Sequence, residues 1–351
     1  MIEVKGATLA GVAAAVRLAK VGHGVTLIDP DRLLDADPTR IAESWQLPDE
    51  FAFPAPLRDL FRKSGRVLDA ELSRTGHTLV PIPSRLVEIP GDEPLDYPAE
   101  RGAQFAALEH RFGARTAAEW RDLLDGLTDV WQARRQLGLE HEFSAEKLAE
   151  LRPELLWGRT LGELADTFDH PVLSGMIVEA GRTECPDDPR GAPASEAIWL
   201  TVERTFGRWR VVTGDGDDAD GPPPTVTGVA LATALRARLT ARKVRIESAE
   251  VADTAAIEAT VHPDEPVGQI PVPRTWRPSS WRGPRSRPAQ WYERPGPRLP
   301  ADGSEAPRYV CGAGTPSGRG FHGQILSAAL VAYAAHWDLR GKNIHPTYKG
   351  P

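Results

Sequence analysis

Gly6, Thr8 and Gly11 stand at the spacing of a turn that lays backbone N–H groups against a pyrophosphate. In such a turn the first glycine leads the chain out of a strand, the second admits the phosphates, and the third lets helix and strand pack closely. Asp29 follows at the distance at which an acidic side chain receives a ribose hydroxyl. The anion would rest on the N-terminus of the intervening helix, where open N–H groups and the helix dipole favour negative charge. Thr8 departs from the pattern, placing a Cβ and a hydroxyl where a phosphate needs space. It either excludes the phosphate or offers it the hydroxyl. Lys5 adds a charge at the end of a strand of the kind usually buried on both faces.

A second glycine-rich stretch near the other end of the chain, Gly312, Gly314, Gly318, Gly320 and Gly323, encloses Arg319 and His322. Glycines let a backbone approach a ligand closely. Arg319 suits neutralisation of a pyrophosphate, and His322 suits ligand contact or proton transfer near neutral pH. Cys311, at the end of an apolar strand, reads as a small core filler. Ser317 lacks the flanking glycines of a nucleophile elbow, so hydrolase chemistry is not expected and no catalytic residue is assigned. Two cysteines far apart, Cys185 and Cys311, indicate neither a disulfide framework nor a zinc site. The acidic run 215–220 lacks the spacing of a calcium loop, and no metal is expected.

These residues need elements to position them. Apolar runs at 2–5 and 25–28 read as strands flanking a helix over 12–21, a parallel βαβ unit. Helical patterns cover 56–64, 101–112 and 117–137, with a further group over 144–182, and a strand-like stretch lies at 78–89. A helix over 229–242 leads into a strand over 244–251, and residues 308–311 (strand), 312–323 (turn) and 324–337 (helix) close the pattern. The segment 214–224 reads as an exposed loop. The stretch 262–307, dense in Pro and Arg, is expected to pack through Trp276, Trp281 and Trp291. The division that follows is a discontinuous dinucleotide-binding domain from 1–50, 205–255 and 305–351, and a largely helical cap or substrate domain from 51–204 and 256–304.

Across 351 residues, 41% hydrophobic and 26% charged, the composition is that of a globular chain with a sizeable core. A formal net charge of −7 gives a polyanion nothing to bind overall, so nucleic acid is not an expected partner. No run reaches the length of a membrane-spanning helix, leaving only peripheral membrane contact open, and the expected setting is soluble and cytoplasmic.

Four stretches in order resemble the phytoene desaturase and FAD-dependent amine oxidase superfamily: VKGATLAGVAAAVRLAKVGHGVTLID, FAFPAPLRDLFRKSGR, PRGAPASEAIWLTVERTFGRWRV and YVCGAGTPSGRGFHGQILSA. The resemblance implies an α/β chain with a Rossmann-like FAD-binding fold of the GR2 type. It also implies FAD, its ADP half at Gly6, Gly11 and Asp29 and its flavin half near Gly312, Gly314, Gly320 and His322. The implied activity is oxidation of a hydrophobic small molecule, isoprenoid or amine-bearing. Two departures point elsewhere. The Gly-Gly-Arg motif of the family is replaced by DPDRLLDADPTR, and the substrate region after Val251 is short. Together with Thr8 and Lys5 they favour the alternative of a non-catalytic relative that keeps the fold to bind a ligand or a protein partner.

Overall fold

The computed structural model describes residues 1–89, 91–214, 225–248, 259–263, 290–299 and 307–344. Its strands are β1 (Ile2–Lys5), β2 (Val25–Ile28), β3 (Phe51–Ala52), β4 (His77–Ile82), β5 (Ser84–Val87), β6 (Leu95–Pro98), β7 (Arg208–Thr213), β8 (Arg245–Glu247), β9 (Ala259–Pro263) and β10 (Tyr309–Cys311). Its α-helices are α1 (Leu9–Lys20), α2 (Pro38–Ser44), α3 (Ala55–Ser64), α4 (Leu68–Ser73), α5 (Arg101–Phe112), α6 (Ala114–Arg134), α7 (Ala145–Leu151), α8 (Leu161–Ala165), α9 (Pro171–Glu179), α10 (Ile198–Phe206), α11 (Thr227–Ala241) and α12 (Gly320–Arg340).

Alternating and continuous apolar runs make β1 and β2, and they pair in parallel from Ile2 opposite Val25 to Lys5 opposite Ile28. With β8, β9 and β10 they form a five-stranded sheet of order β10-β9-β1-β2-β8. Strand β9 runs antiparallel to both β1 and β10, so β1 and β10 point the same way. Their following turns therefore leave the same edge of the sheet. That edge is the carboxyl end of the parallel strands, where open α/β sheets hold ligands. The segment 259–263 lies in the stretch that the sequence division assigns to the cap, yet it joins this sheet, because pairing partners are set by tertiary proximity rather than by composition.

Helix α1 is buried almost all round, which its Ala, Val and Leu content allows. It lies against α12 and α3, and small side chains such as Ala10, Ala13, Ala328 and Ala332 bring the helices close in one core. Arg17, 3% exposed in that setting, is held by Asp59 of α3 at 2.9 Å. This first core also takes in Phe51, Leu57, Leu60, Phe61, Leu68, Leu72 and Leu79, beyond the boundary drawn at residue 50. A second core, built on α5, α6 and α8 to α10, is filled by Trp120, Trp131, Leu173 and Ile198. Trp291 is 1% exposed in it, which accounts for one of the three tryptophans expected to pack; Trp276, Trp281 and the acidic run 215–220 lie outside the described residues. A three-stranded sheet of order β3-β7-β4 and the hairpin β5–β6 complete the fold.

Three expectations shift. The stretch 78–89 is two strands, β4 and β5, that belong to different sheets. Helix α1 begins at Leu9, earlier than the expected residue 12. Helix α12 begins at Gly320 rather than at 324, so His322 sits in a helix rather than in a turn. Glycines at 320 and 323 suggested a loop, but packing overrides propensity here: a Cβ on Gly323 would stand 2.2 Å from the carbonyl oxygen of Gly318. Among the described residues no helix is long and apolar enough to cross a membrane.

Candidate functional site

Two cavities meet at the shared edge of the sheet. A cleft of about 340 Å³ is lined by Gly6, Thr8, Asp29 and Gly312, and a cavity of about 1330 Å³ by Gly314, Arg319, Gly320 and His322. Gln46, Ala313 and Gln324 line both, so the two spaces adjoin across shared walls and together make the groove. The glycine turns, at opposite ends of the chain, are thus brought together. Gly6 and Gly312 take φ values of +105° and +116°, which side chains rarely adopt. A Cβ on Gly312 would lie 3.8 Å from Cβ of Ala10, so the C-terminal turn sits directly against α1.

At the N-terminal end Thr8, Gly11 and Asp29 have hydrogen-bond partners within the protein. Thr8 is the N-cap of α1, and its hydroxyl accepts the Gly11 N–H at 3.1 Å. One first-turn donor is thereby taken, while those of Leu9 and Ala10 keep the open position of helix N-terminal amides. Asp29 is 2% exposed, and its two oxygens accept the Leu33 and Leu34 N–H groups at 3.0 and 2.8 Å. Each oxygen retains a second lone pair, so a ribose hydroxyl has an acceptor there. Trp45 closes the turn by donating its indole N–H to the Ala7 carbonyl at 2.7 Å. Lys5 lies partly exposed 3.4 Å from Glu3, which neutralises it without reaching the cleft.

The C-terminal end is held from many directions. Ser327 receives the Gly312 N–H at 2.9 Å, Ser317 donates to the Gly138 carbonyl at 2.5 Å, and Arg134 donates to the Pro316 carbonyl at 2.7 Å. Arg294 donates to the Ala313 carbonyl at 3.1 Å and is paired with Glu184, whose other oxygen accepts the Arg319 N–H at 3.2 Å. Arg134 also stacks on Trp291, its guanidinium carbon 3.7 Å from the ring centre. Glu196 completes this buried group. Burial foremost, and the nearby Glu184, push its carboxyl up to about 7, against the pull of Arg134. One Glu196 oxygen accepts the Trp199 indole N–H at 3.3 Å; the other is buried without a hydrogen-bond partner.

His322 lies partly buried on the wall of the larger cavity. Trp199 stacks on it at 5.4 Å, and Phe51, Phe53 and Phe321 surround it within 6.4 Å. Its Nε2–H donates to the Ala52 carbonyl at 2.5 Å, which leaves Nδ1 as an acceptor. Desolvation lowers its pKa to about 4, so the ring is neutral at physiological pH and faces the cavity as a hydrogen-bonding aromatic rather than as a cation. Beside it the cavity wall is apolar over Val172 and Met176, while Arg85, Glu203, Arg208 and Glu50 are paired among themselves at 3.0 to 3.1 Å.

All nine residues singled out in the sequence line the groove except Gly11, which is buried in α1 and receives the cap. Sequence reasoning missed Trp199, Glu184, Glu196, Arg134 and Arg294. Their spacing carries no local signal, since only Glu196 and Trp199 are neighbours on the chain. Cys311 is fully buried in β10, as a core filler should be. Among the described residues no cluster of His, Cys, Asp or Glu is arranged to hold a metal. No protein-family model matches the chain, and no curated protein matches it in sequence.

Proposed function

We propose that the groove binds an extended dinucleotide of the FAD type and presents it to a hydrophobic small molecule in the larger cavity, as a Rossmann-like flavoprotein of the GR2 type would. The observation that supports this reading is the adjacency of the cleft at the turn after β1 and the cavity with the aromatic wall at His322, which share Gln46, Ala313 and Gln324 as lining. A pyrophosphate at the N-terminus of α1 would meet the open Leu9 and Ala10 amides, and Asp29 would accept from a ribose. Gly312 and Gly314 leave backbone open to a flat ring, and Arg319 supplies positive charge at the start of α12. The combined space exceeds the roughly 300–1,000 Å³ of ordinary ligand sites, which accommodates a cofactor and a substrate together. Bound flavin would supply hydride acceptance. Neutral His322 would orient a substrate polar group through Nδ1, and the rings around it would exclude water.

A second reading, a binding protein without redox turnover, is favoured by one specific observation: Thr8 and Asp29 already have hydrogen-bond duties within the protein. Titration of the purified protein with FAD, followed by flavin absorption and fluorescence, tests both. Tight binding followed by bleaching of the flavin with a hydrophobic amine or polyene supports the first. Binding without bleaching supports the second, and no binding removes FAD from both.

A further inference from the structure

Away from the groove, a single carboxylate is surrounded by an excess of guanidinium. Glu71 of α4 is 4% exposed and is paired with Arg238 of α11, also 4% exposed. Arg74 reaches the other oxygen of Glu71 at 3.0 Å, and Arg66 lies 4.0 Å away. Arg242, one turn beyond Arg238, completes the group. A Cβ on Gly65 would stand 2.2 Å from Nη2 of Arg242 and 3.2 Å from Nη1 of Arg238, so both guanidiniums press against the same glycine. Nε of Arg242 is buried without a hydrogen-bond partner, and among the described residues its guanidinium forms no ion pair.

Three guanidiniums therefore lie within 4.0 Å of one carboxylate, with a fourth, of Arg242, packed beside Arg238 against Gly65. The adjacent acids are engaged elsewhere, Asp59 with Arg17 and Arg62 at 2.9 Å and Asp69 with Arg58 at 3.9 Å. Burial foremost lowers the pKa of Arg238, and Arg242, Arg66 and Arg74 add to the lowering against the opposing pull of Glu71. The end of α11 accounts for Arg238 and Arg242 in part, because a helix C-terminus favours cations. It does not account for Arg66 and Arg74, which come from the loop and helix across from it. A multivalent oxyanion accounts for all four, since guanidinium matches phosphate oxygens in charge and in fork geometry.

We infer that Arg66, Arg74, Arg238 and Arg242 form a binding site for a phosphate-bearing anion, either free phosphate or a phosphoryl headgroup, separate from the groove. None of the four lines either cavity of the groove. Arg66 and Arg74 are about half exposed, at 48% and 59% of their side chains, and so form an accessible rim over the buried Glu71–Arg238 floor.

Thermal unfolding of the full chain in pyrophosphate, against sodium chloride at matched ionic strength, tests the inference. Pyrophosphate is expected to raise the midpoint by about 2–4 °C, as saturable binding to the native state does. The Arg66→Gln/Arg74→Gln variant, altered only at exposed positions, is expected to fold and to lose the shift. Equilibrium dialysis against labelled phosphate reads binding to the unaltered protein directly. Flotation with phosphatidylcholine vesicles, with and without phosphatidic acid, separates the sources: retention that needs phosphatidic acid assigns a headgroup, and solution binding without retention assigns free phosphate. Equal midpoints in the two salts with no vesicle retention overturn the site, and so does a shift that the double variant keeps, which would locate the phosphate in the groove.

Discussion

The two ends of the groove achieve the same geometry by opposite means. At the N-terminal end most of what shapes the turn comes from residues 6–45: Thr8 caps its own helix, Asp29 holds its own loop, and Trp45 closes over Ala7, while Glu247 and Arg236 add one bond each, to the Asp29 amide and the Ala36 carbonyl. At the C-terminal end the turn after β10 is suspended by Arg134, Glu184, Arg294 and Ser327, from four separate parts of the chain. A turn held mainly by its own residues loses one or two hydrogen bonds when one residue changes. A turn suspended by buried charges leaves an uncompensated ion behind, which costs far more.

The largest effect should therefore follow Arg134→Ala. Removing this buried guanidinium strips the Pro316 and Leu137 carbonyls and leaves Glu184 and Glu196 with less positive charge, an expected loss of about 3–5 kcal/mol in urea unfolding. A loss below about 1 kcal/mol would mean that the C-terminal turn is as self-contained as the other.

Acid should act next, in part on the same end. His322 has a folded pKa of about 4 against an ordinary 6.5, so the unfolded chain binds the proton first. The stability contributed by the neutral ring is complete above pH 6.5 and falls by about 2–3 kcal/mol as pH drops toward 4. His23, lowered to about 4 by burial and by the adjacent His336, acts in the same direction. Glu196 acts oppositely: its raised pKa means stability is lost as pH rises from the ordinary carboxyl range through about 7. Unfolding midpoints measured across pH 4–8 should show a weaker acid limb in His322→Gln and a weaker limb toward neutrality in Glu196→Gln. Identical profiles in wild type and His322→Gln would place the acid-sensitive group elsewhere.

Smaller effects should mark the N-terminal end. Asp29→Asn keeps one acceptor for the Leu33 and Leu34 amides and loses the other, an expected cost of about 1–2 kcal/mol with weaker binding of an adenosine-containing ligand. Thr8→Gly should be smallest in stability, a few tenths of a kcal/mol, because glycine is itself an acceptable N-cap. The same change removes a Cβ from the phosphate position, and tighter FAD binding by titration is the expected outcome. Weaker binding would show that the capped hydroxyl also serves the ligand.

These contrasts follow what could be read along the chain. The strand, glycine turn and helix at each end were legible because apolar period and turn residues are local signals, and β1 and β2 begin and end where the pattern places them. The cap on α1 was legible too in principle, since a threonine immediately before an apolar helical run is a recognised N-terminal signal. Glycine density concealed the start of α12, because its effect there depends on a carbonyl of the preceding turn rather than on propensity.

By itself, then, the amino-acid order determined the two turns, the glycines that permit their positive φ, and the apolar helices behind them, all through interactions spanning a few residues. Only the tertiary structure decided that β1 and β10 run the same way through β9, so that both turns open on one groove. It alone gathered Arg134, Glu184, Glu196 and Arg294 beneath the second turn and four arginines around Glu71. Charges separated by tens to hundreds of residues leave no periodic trace in a sequence, and burial, which gives them their energetic weight, is a property of the packed chain alone.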